Sequence, residues 1–207
     1  MKNTAKTLRK LALHNSWKTS GFIVNMEKYI LFLRGVNVGG NAIISMTALK
    51  AAMAENQLAG ASTYINSGNV IVASEADKTA LKEKVREIIQ HHFGLSVEMI
   101  VKTKVELENI ISHNPFDPVG ETDNSRKVVM MLSESVAEAK TDVIRADSRI
   151  IERFYLFGDL LYAYYPNGAG QSKFTTSYVE KKLNVIATGR NWNTLLKISA
   201  LTNEAIK

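Results

Sequence analysis

Hydrophobic residues along the chain change period in a regular order, and from Tyr29 that order is legible as strands and helices. Tyr29 to Leu33 is a continuous apolar run of strand length. Ser45 then reads as the N-cap of a helix whose apolar face is Met46, Leu49 and Met53, ending near Gly60. Ser62 to Ile65 and Val70 to Ala73 flank Ser67-Gly68, a turn pair that predicts a hairpin. A helix over about Asp77 to His92 follows, with Leu81, Val85, Ile88 and Ile89 as its buried stripe, and Val97 to Val101 is the next strand. The order βαββαβ is that of a ferredoxin-like unit.

The same order starts again further along. Thr103 and Glu106 have capping-box spacing at the head of a helix through Leu107, Ile110 and Ile111, which Asn114-Pro115 stops. Residues 115–125 hold two prolines, a glycine and three acids, the composition of a linker. Beyond them Lys127 to Leu132 reads as a strand, and Ser135 with Glu138 as the capping box of a helix through Val143 and Ile144. Ile150 to Phe157 and Leu160 to Tyr165 form a hairpin across Gly158-Asp159, and a helix runs from Thr176 to Leu183. A final helix starting at Gly189 stands where a last strand would be, with Thr188 as its N-cap. The prediction is an α+β protein made of duplicated ferredoxin-like (βαββαβ) halves: residues 26–114 with a linking helix, a linker at 115–125, and residues 126–207 with a C-terminal helix.

Composition limits what such a chain can do. At 207 residues and 45% hydrophobic content it can bury a substantial core. It has no cysteine, so no disulfide, thiolate nucleophile or cysteine-held zinc is available, which fits a reducing cytoplasm. The net charge of +6 is misleading as a nucleic-acid signal. Lys2, Lys6, Arg9, Lys10 and Lys18 fall in the first 25 residues, which contain no acid, leaving 21 bases against 20 acids in the rest. Residues 1–25 read as a flexible basic extension, as a short surface-binding helix through Leu8, Leu11 and Ala12, or as an upstream start that the native protein does not use. No stretch approaches 18 consecutive apolar residues, so no membrane span is expected.

Candidate chemistry is sparse. Of the four histidines, His91 and His92 are neighbours on a helix and point about 100° apart, which is not the i, i+4 spacing of a helical chelate, so no metal is expected. No GxSxG elbow or other nucleophile motif is present, and no cofactor signature either. Three polar, glycine-punctuated phrases remain: LRGVNVGGN at 33–41, YINSGNV at 64–70 and TGRNWNT at 188–194. Arg34, Asn37, Gly39 and Gly40 occupy a strand-to-helix loop, where close backbone approach and free helix amides suit an anion. Asn66, Ser67 and Asn69 surround a hairpin tip that turn chemistry also explains. Before the third phrase, Asn167 to Lys173 is a glycine-containing loop leading into Thr175 and Thr176 at a helix start, a further anion cradle. A helix from Gly189 would place Arg190 against its own dipole, a position that calls for a partner: a buried carboxylate, or an anionic ligand shared with Lys173. Asn191 lies near the exposed end of that helix, and Trp192, Leu195 and Leu196 form its apolar face.

The phrases LRGVNVGGN, YINSGNV, NPF at 114–116, SKFT at 172–175 and TGRNWNT, in this order, resemble the bacterial family catalogued as domain of unknown function 1697. Matching positions are Arg34, Asn37, Gly39, Gly40, Asn66, Ser67, Gly68, Asn69, Lys173, Thr188, Arg190, Asn191, Trp192 and Thr194. The resemblance implies a cytosolic protein with two ferredoxin-like halves and carries no established activity or catalytic residue with it. Two functions then compete. One is binding of a small anionic, phosphorylated ligand between the halves by Arg34, Lys173, Arg190 and the asparagines, which requires these groups to converge on one pocket. The other is a non-enzymatic interaction module, as a homodimer or with a partner, in which the motifs are turns, caps and pins. A third, RNA binding by aromatics of the hairpin at 154–165, has the near-neutral body and the missing RNP1 pattern against it.

Overall fold

The structure, a computed structural model, describes residues 26–40 and 42–204. The expectations for residues 1–25 lie outside the described residues. The first half runs β1 (Glu27–Leu33), α1 (Met46–Glu55), β2 (Ser62–Tyr64), β3 (Asn69–Ser74), α2 (Lys78–Phe93) and β4 (Met99–Thr103), followed by the linking helix α3 (Lys104–Ser112). In the second half come β5 (Lys127–Leu132), α4 (Asp142–Arg145), β6 (Arg153–Phe157), β7 (Leu160–Tyr164), α5 (Thr176–Leu183), β8 (Ala187–Asn191) and α6 (Trp192–Asn203). Each half has one antiparallel four-stranded sheet, ordered β2-β3-β1-β4 and β6-β7-β5-β8. The protein is therefore α+β with two ferredoxin-like halves.

The apolar run of β1 is continuous because both faces of the strand are covered. Tyr29, Leu31 and Leu33 enter the core formed with α1 and α2, while Ile30 and Phe32 point the other way. In β5, Met130 and Leu132 face the outer core of the second half, and Val129 and Met131 face inward. The inward residues of the two sheets meet in a central core together with Leu107 and Ile110 of α3 and Trp192, Leu195 and Ile198 of α6. Phe116, within the segment 115–125, is buried there too, and that segment makes single 3-10 turns at Asp117–Val119 and Asn124–Arg126. Tyr162 and Tyr164 belong to the central core and Phe154 and Tyr165 to the outer one, so these four hairpin aromatics are spent on packing, while Phe157 stays largely exposed.

Several expected boundaries shift. α1 stops at Glu55, capped by Asn56, whose side chain donates to the Ala52 carbonyl at 2.8 Å. β4 begins two residues later than periodicity suggests, and β6 begins at Arg153 because residues 150–152 leave the ladder. The Ser135–Glu138 capping box does not form. The Val136 amide is taken by the Gly158 carbonyl at 3.0 Å, the Glu138 carboxylate pairs with Arg145, and only a 3-10 turn and the short α4 follow. The largest correction is at the C-terminal end. Gly189 opens no helix; residues 187–191 are a strand paired with β5, and α6 starts at Trp192 with Asn191 as its N-cap. The second half thus completes the βαββαβ order that the first half shows.

Candidate functional site

Because β8 is a strand, its side chains alternate, and Thr188 and Arg190 share the face that looks toward the first half. Arg190 is buried, and its guanidinium is satisfied by neutral oxygens. Nη2 donates to the carbonyls of Leu33 (2.8 Å), Ser67 (3.1 Å) and Gly68 (3.2 Å). Nη1 donates to Thr188 Oγ1 (2.8 Å) and the Gly189 carbonyl (2.7 Å), and Nε to Asn69 Oδ1. The group also sits 5.4 Å from the centroid of the Phe32 ring. Neither the dipole conflict nor a carboxylate partner expected for Arg190 is present. Burial pushes its pKa down to about 10, which leaves it a cation at neutral pH. Asn69 is held for this task, since its Nδ2 donates to the Tyr64 carbonyl (3.0 Å) and Ser67 Oγ (3.1 Å).

Arg34 is likewise engaged. Its Nε and Nη2 grip Glu180 of α5 at 2.5 and 2.7 Å, and the same carboxylate accepts the Ala187 amide at 2.8 Å. Burial works against the charge of Glu180, but the Arg34 and Ala187 hydrogen bonds outweigh it and hold the carboxyl below its ordinary range. Arg34, Ser67 and Arg190 border one cavity of about 280 Å³ beside Thr176 and Ser177 at the start of α5. Asn37, Gly40 and Asn66 border a different groove, of about 560 Å³. Asn37, at φ +55°, clamps its own loop: Oδ1 accepts from the Ile44 amide, and Nδ2 donates to the carbonyls of Ile44 (2.9 Å) and Asn66 (2.8 Å). Gly39 and Gly40 take the left-handed conformations that this loop needs. Thr175 caps α5 by accepting the Tyr178 amide, and Asn191 caps α6 while donating to the Ser125 carbonyl at 2.8 Å. Lys173 is exposed and borders neither cavity. The three phrases therefore meet near one junction, but as hydrogen-bonded pins rather than as a ring of free cations.

Sequence reasoning did not single out the larger recess on the other side of that junction. Between α3 and the β6–β7 hairpin lies a cavity of about 630 Å³, walled by Ile110, Pro115 and Pro118 from the first side and by Phe157, Leu160 and Tyr162 from the second. Lys102 and Asp159 are ion-paired at its edge. Tyr162 donates to the Ile110 carbonyl at 3.0 Å, and burial, reinforced by Asp159, pushes its phenol up to about 12. Asn114 also belongs to the wall. The one sequence signal here was NPF at 114–116, which reads equally well as a helix stop. Among the described residues no group of three or more histidine, aspartate or glutamate side chains is placed to hold a metal ion. No described helix is long and apolar enough to cross a membrane.

A solved structure titled as that of the conserved bacterial protein SP0830 from Streptococcus pneumoniae is similar over 87% of this chain and 100% of its own, with a TM-score of 0.67 and 22% sequence identity. At that identity the likeness speaks for the fold. No curated protein matches the chain. A family model does match, over residues 26–162, and its span covers the first sheet, α3 and the cavity-lining hairpin through Tyr162: the chain belongs to the family described as protein of unknown function (DUF1697).

Proposed function

We propose that this protein binds a small molecule between its two halves, in the cavity framed by α3 and the β6–β7 hairpin. The observation that carries the reading is that this cavity draws its walls from both halves and is mainly apolar, with a few polar groups at defined places. Its volume of about 630 Å³ is of the size that encloses a small organic ligand. The anionic ligand suggested by Arg34, Lys173 and Arg190 has less support, because Arg190 has its donors engaged by neutral oxygens, Arg34 has its charge matched by Glu180 through Nε and Nη2, and the lysine stands apart. In this reading the arginine junction fixes the angle between the halves, and so the shape of the cavity, while the ligand sits elsewhere. A fragment screen followed by mapping of backbone amide shifts tests it. Hits are expected to move residues 107–118 and 155–162, and Leu160→Trp, which fills the recess, is expected to remove them. Hits confined to Arg34 and the start of α5 would return the site to the arginine junction.

An interaction module is the second reading, and one observation favours it. The loops pinned by Asn37 hold Val38, Ile43 and Ile65 largely in solvent, Ile43 at 73% exposure. Self-association through that patch would appear in sedimentation velocity as a concentration-dependent dimer that Ile43→Asp abolishes; a monomer at all concentrations would remove the homodimer form of this reading.

A further inference from the structure

The inter-half cavity adjoins a second recess, and the residues common to both are all charged. The second recess, of about 400 Å³, lies beside α2 and β4, where Lys78, Lys82 and Glu98 line it. Lys102, Glu106 and Asp159 line both, so they form the boundary between a mainly apolar cavity and a polar groove. Glu106 is already matched, since both of its oxygens accept from Lys78 and one also accepts the Thr103 amide. The Lys102–Asp159 pair is therefore the polar feature at that boundary with hydrogen bonds still to make. Lys102 leaves β4 opposite Ile30, on the face turned to the second half, and is 7% exposed. An ammonium carries three donors, and among the described residues that of Lys102 meets one acceptor, Asp159 Oδ2. Asp159 has a side chain 38% exposed, and its Oδ1 accepts from none of the described residues.

The turn that carries this carboxylate is fixed, because the Leu132 amide donates to the Asp159 carbonyl and the Val136 amide to that of Gly158. Charge then restricts what can bind. A lone anion at Lys102 would stand against Asp159 and Glu106, and a lone cation at Asp159 against Lys102 and Lys78. A group with both charges meets neither conflict: it brings an acceptor to the ammonium and a donor to the carboxylate, and leaves the net charge of the site unchanged. On the apolar side, Phe157 and Tyr162 stand edge to face with ring centroids 5.9 Å apart, and Pro118 and Leu160 complete walls suited to a flat ring. Resting on the small-molecule reading above, we infer that the ligand is a zwitterionic amino acid with an aromatic side chain. Its carboxylate accepts from Lys102 Nζ, its ammonium donates to Asp159 Oδ1, and its ring enters the recess beside Phe157.

Three probes with one ring and different charges test this: L-tryptophan, indole-3-propionate, which lacks the ammonium, and tryptamine, which lacks the carboxylate. Titrations into the full chain at pH 7, followed by backbone amide NMR, are expected to show tryptophan binding about tenfold tighter than either analogue, with shifts at Lys102 and residues 157–162. Asp159→Asn keeps the shape of the turn and removes its charge, so it is expected to bring tryptophan and indole-3-propionate within about twofold. Lys102→Met keeps the stem and is expected to do the same for tryptophan and tryptamine. The comparison of probes on the parent protein stands whether or not a variant folds. Equal affinity for all three, or a preference for either singly charged probe, overturns the inference and leaves the cavity as a binding site. So does a failure of tryptophan to bind while fragment hits still map to residues 107–118 and 155–162; with no hits there, the small-molecule reading falls as well.

Discussion

Lys102 and Arg190 occupy equivalent places in the two halves, and each reaches out of its own sheet to a hairpin turn of the other. Lys102 stands opposite Ile30 across β1–β4, as Arg190 stands opposite Val129 across β5–β8. Lys102 pairs with Asp159 at the β6–β7 turn, and Arg190 with the carbonyls of Ser67 and Gly68 and with Asn69 at the β2–β3 turn. The turns correspond as well, since Leu33 N donates to the Gly68 carbonyl and Leu132 N to the Asp159 carbonyl, both at 2.8 Å. The duplication therefore extends to the interface that it creates. The two contacts have diverged in chemistry: one is an ion pair at the rim of the inter-half cavity, the other a buried guanidinium held by neutral oxygens.

That divergence makes Arg190 the more costly residue to lose. Arg190→Ala would strand Asn69 Oδ1 in a buried place and leave the Leu33 carbonyl only the long 3.4 Å contact from Thr188 Oγ1, while the Gly68 carbonyl keeps the Leu33 amide. The expected loss is about 3 kcal/mol in urea unfolding at pH 7. Arg190→Lys should recover little of it, because three donors on a point charge cannot span acceptors arranged around a planar fork. Phosphate at millimolar concentration should leave the melting temperature of the parent protein unchanged. A rise in melting temperature with phosphate that disappears in Arg190→Ala would contradict the assignment of this group as a pin.

Gly68 and Gly40 separate two reasons for keeping a glycine. Both have positive φ, +75° and +80°. A Cβ on Gly68 would lie 2.4 Å from Val36 Cγ2 and 2.7 Å from Leu33 Cβ, whereas one on Gly40 meets nothing within 4 Å. Gly40→Ala should cost only the left-handed backbone, roughly 1 kcal/mol. For Gly68→Ala the clash adds to that, and a loss of about 3 kcal/mol is expected by the same denaturant titration. Equal losses at the two positions would mean that the β2–β3 turn yields to the methyl group.

Much of this architecture is legible in the chain, and what escaped did so for tertiary reasons. The stripe Leu81, Val85, Ile88, Ile89 and the Thr103–Glu106 capping box are local signals, and both are present in the structure. β8 was hidden because Ala-Thr-Gly-Arg-Asn carries little strand propensity of its own. Thr188 and Arg190 find their partners across the sequence, in Leu33, Ser67, Gly68 and Asn69, so no window around residue 190 contains the reason for the strand. Ser135 and Glu138 show the opposite failure, a good local box in which the Glu138 carboxylate goes to Arg145 instead of back to Ser135. The inter-half cavity is invisible for a related reason: residues 106–118 and 157–162 come together only when the halves dock.

The Arg34–Glu180 pair predicts an acid limit. Glu180 has its carboxyl held below the ordinary value of 4.5, so it titrates lower in the folded than in the unfolded chain. Its contribution to stability is present above about 4.5 and fades as pH falls through the lowered folded value. Glu180→Gln should flatten the pH dependence of unfolding free energy in that window. At neutral pH it should cost roughly 1 kcal/mol, because Arg34 is partly exposed and the pair is screened. An unchanged acid slope in the variant would show that other carboxylates govern it.

Tyr162 sets the alkaline counterpart and reports on the cavity at the same time. Its phenol is raised from 10.0 to about 12 by burial and by Asp159, so the folded state favours the protonated form. The stability this brings is full below pH 10 and is lost as pH rises through about 12. Absorbance at 295 nm should therefore show Tyr162 titrating late, ahead of Tyr165, whose phenol burial raises further still, and Tyr162→Phe should remove the earlier of these two late steps. The variant also loses the hydrogen bond to the Ile110 carbonyl, at a cost of about 1 kcal/mol at pH 7. A ligand filling the recess would bury the phenol further and delay its titration again, whereas a ligand at the arginine junction would leave it unmoved. The part of the late phase that Tyr162→Phe removes thus separates the two sites.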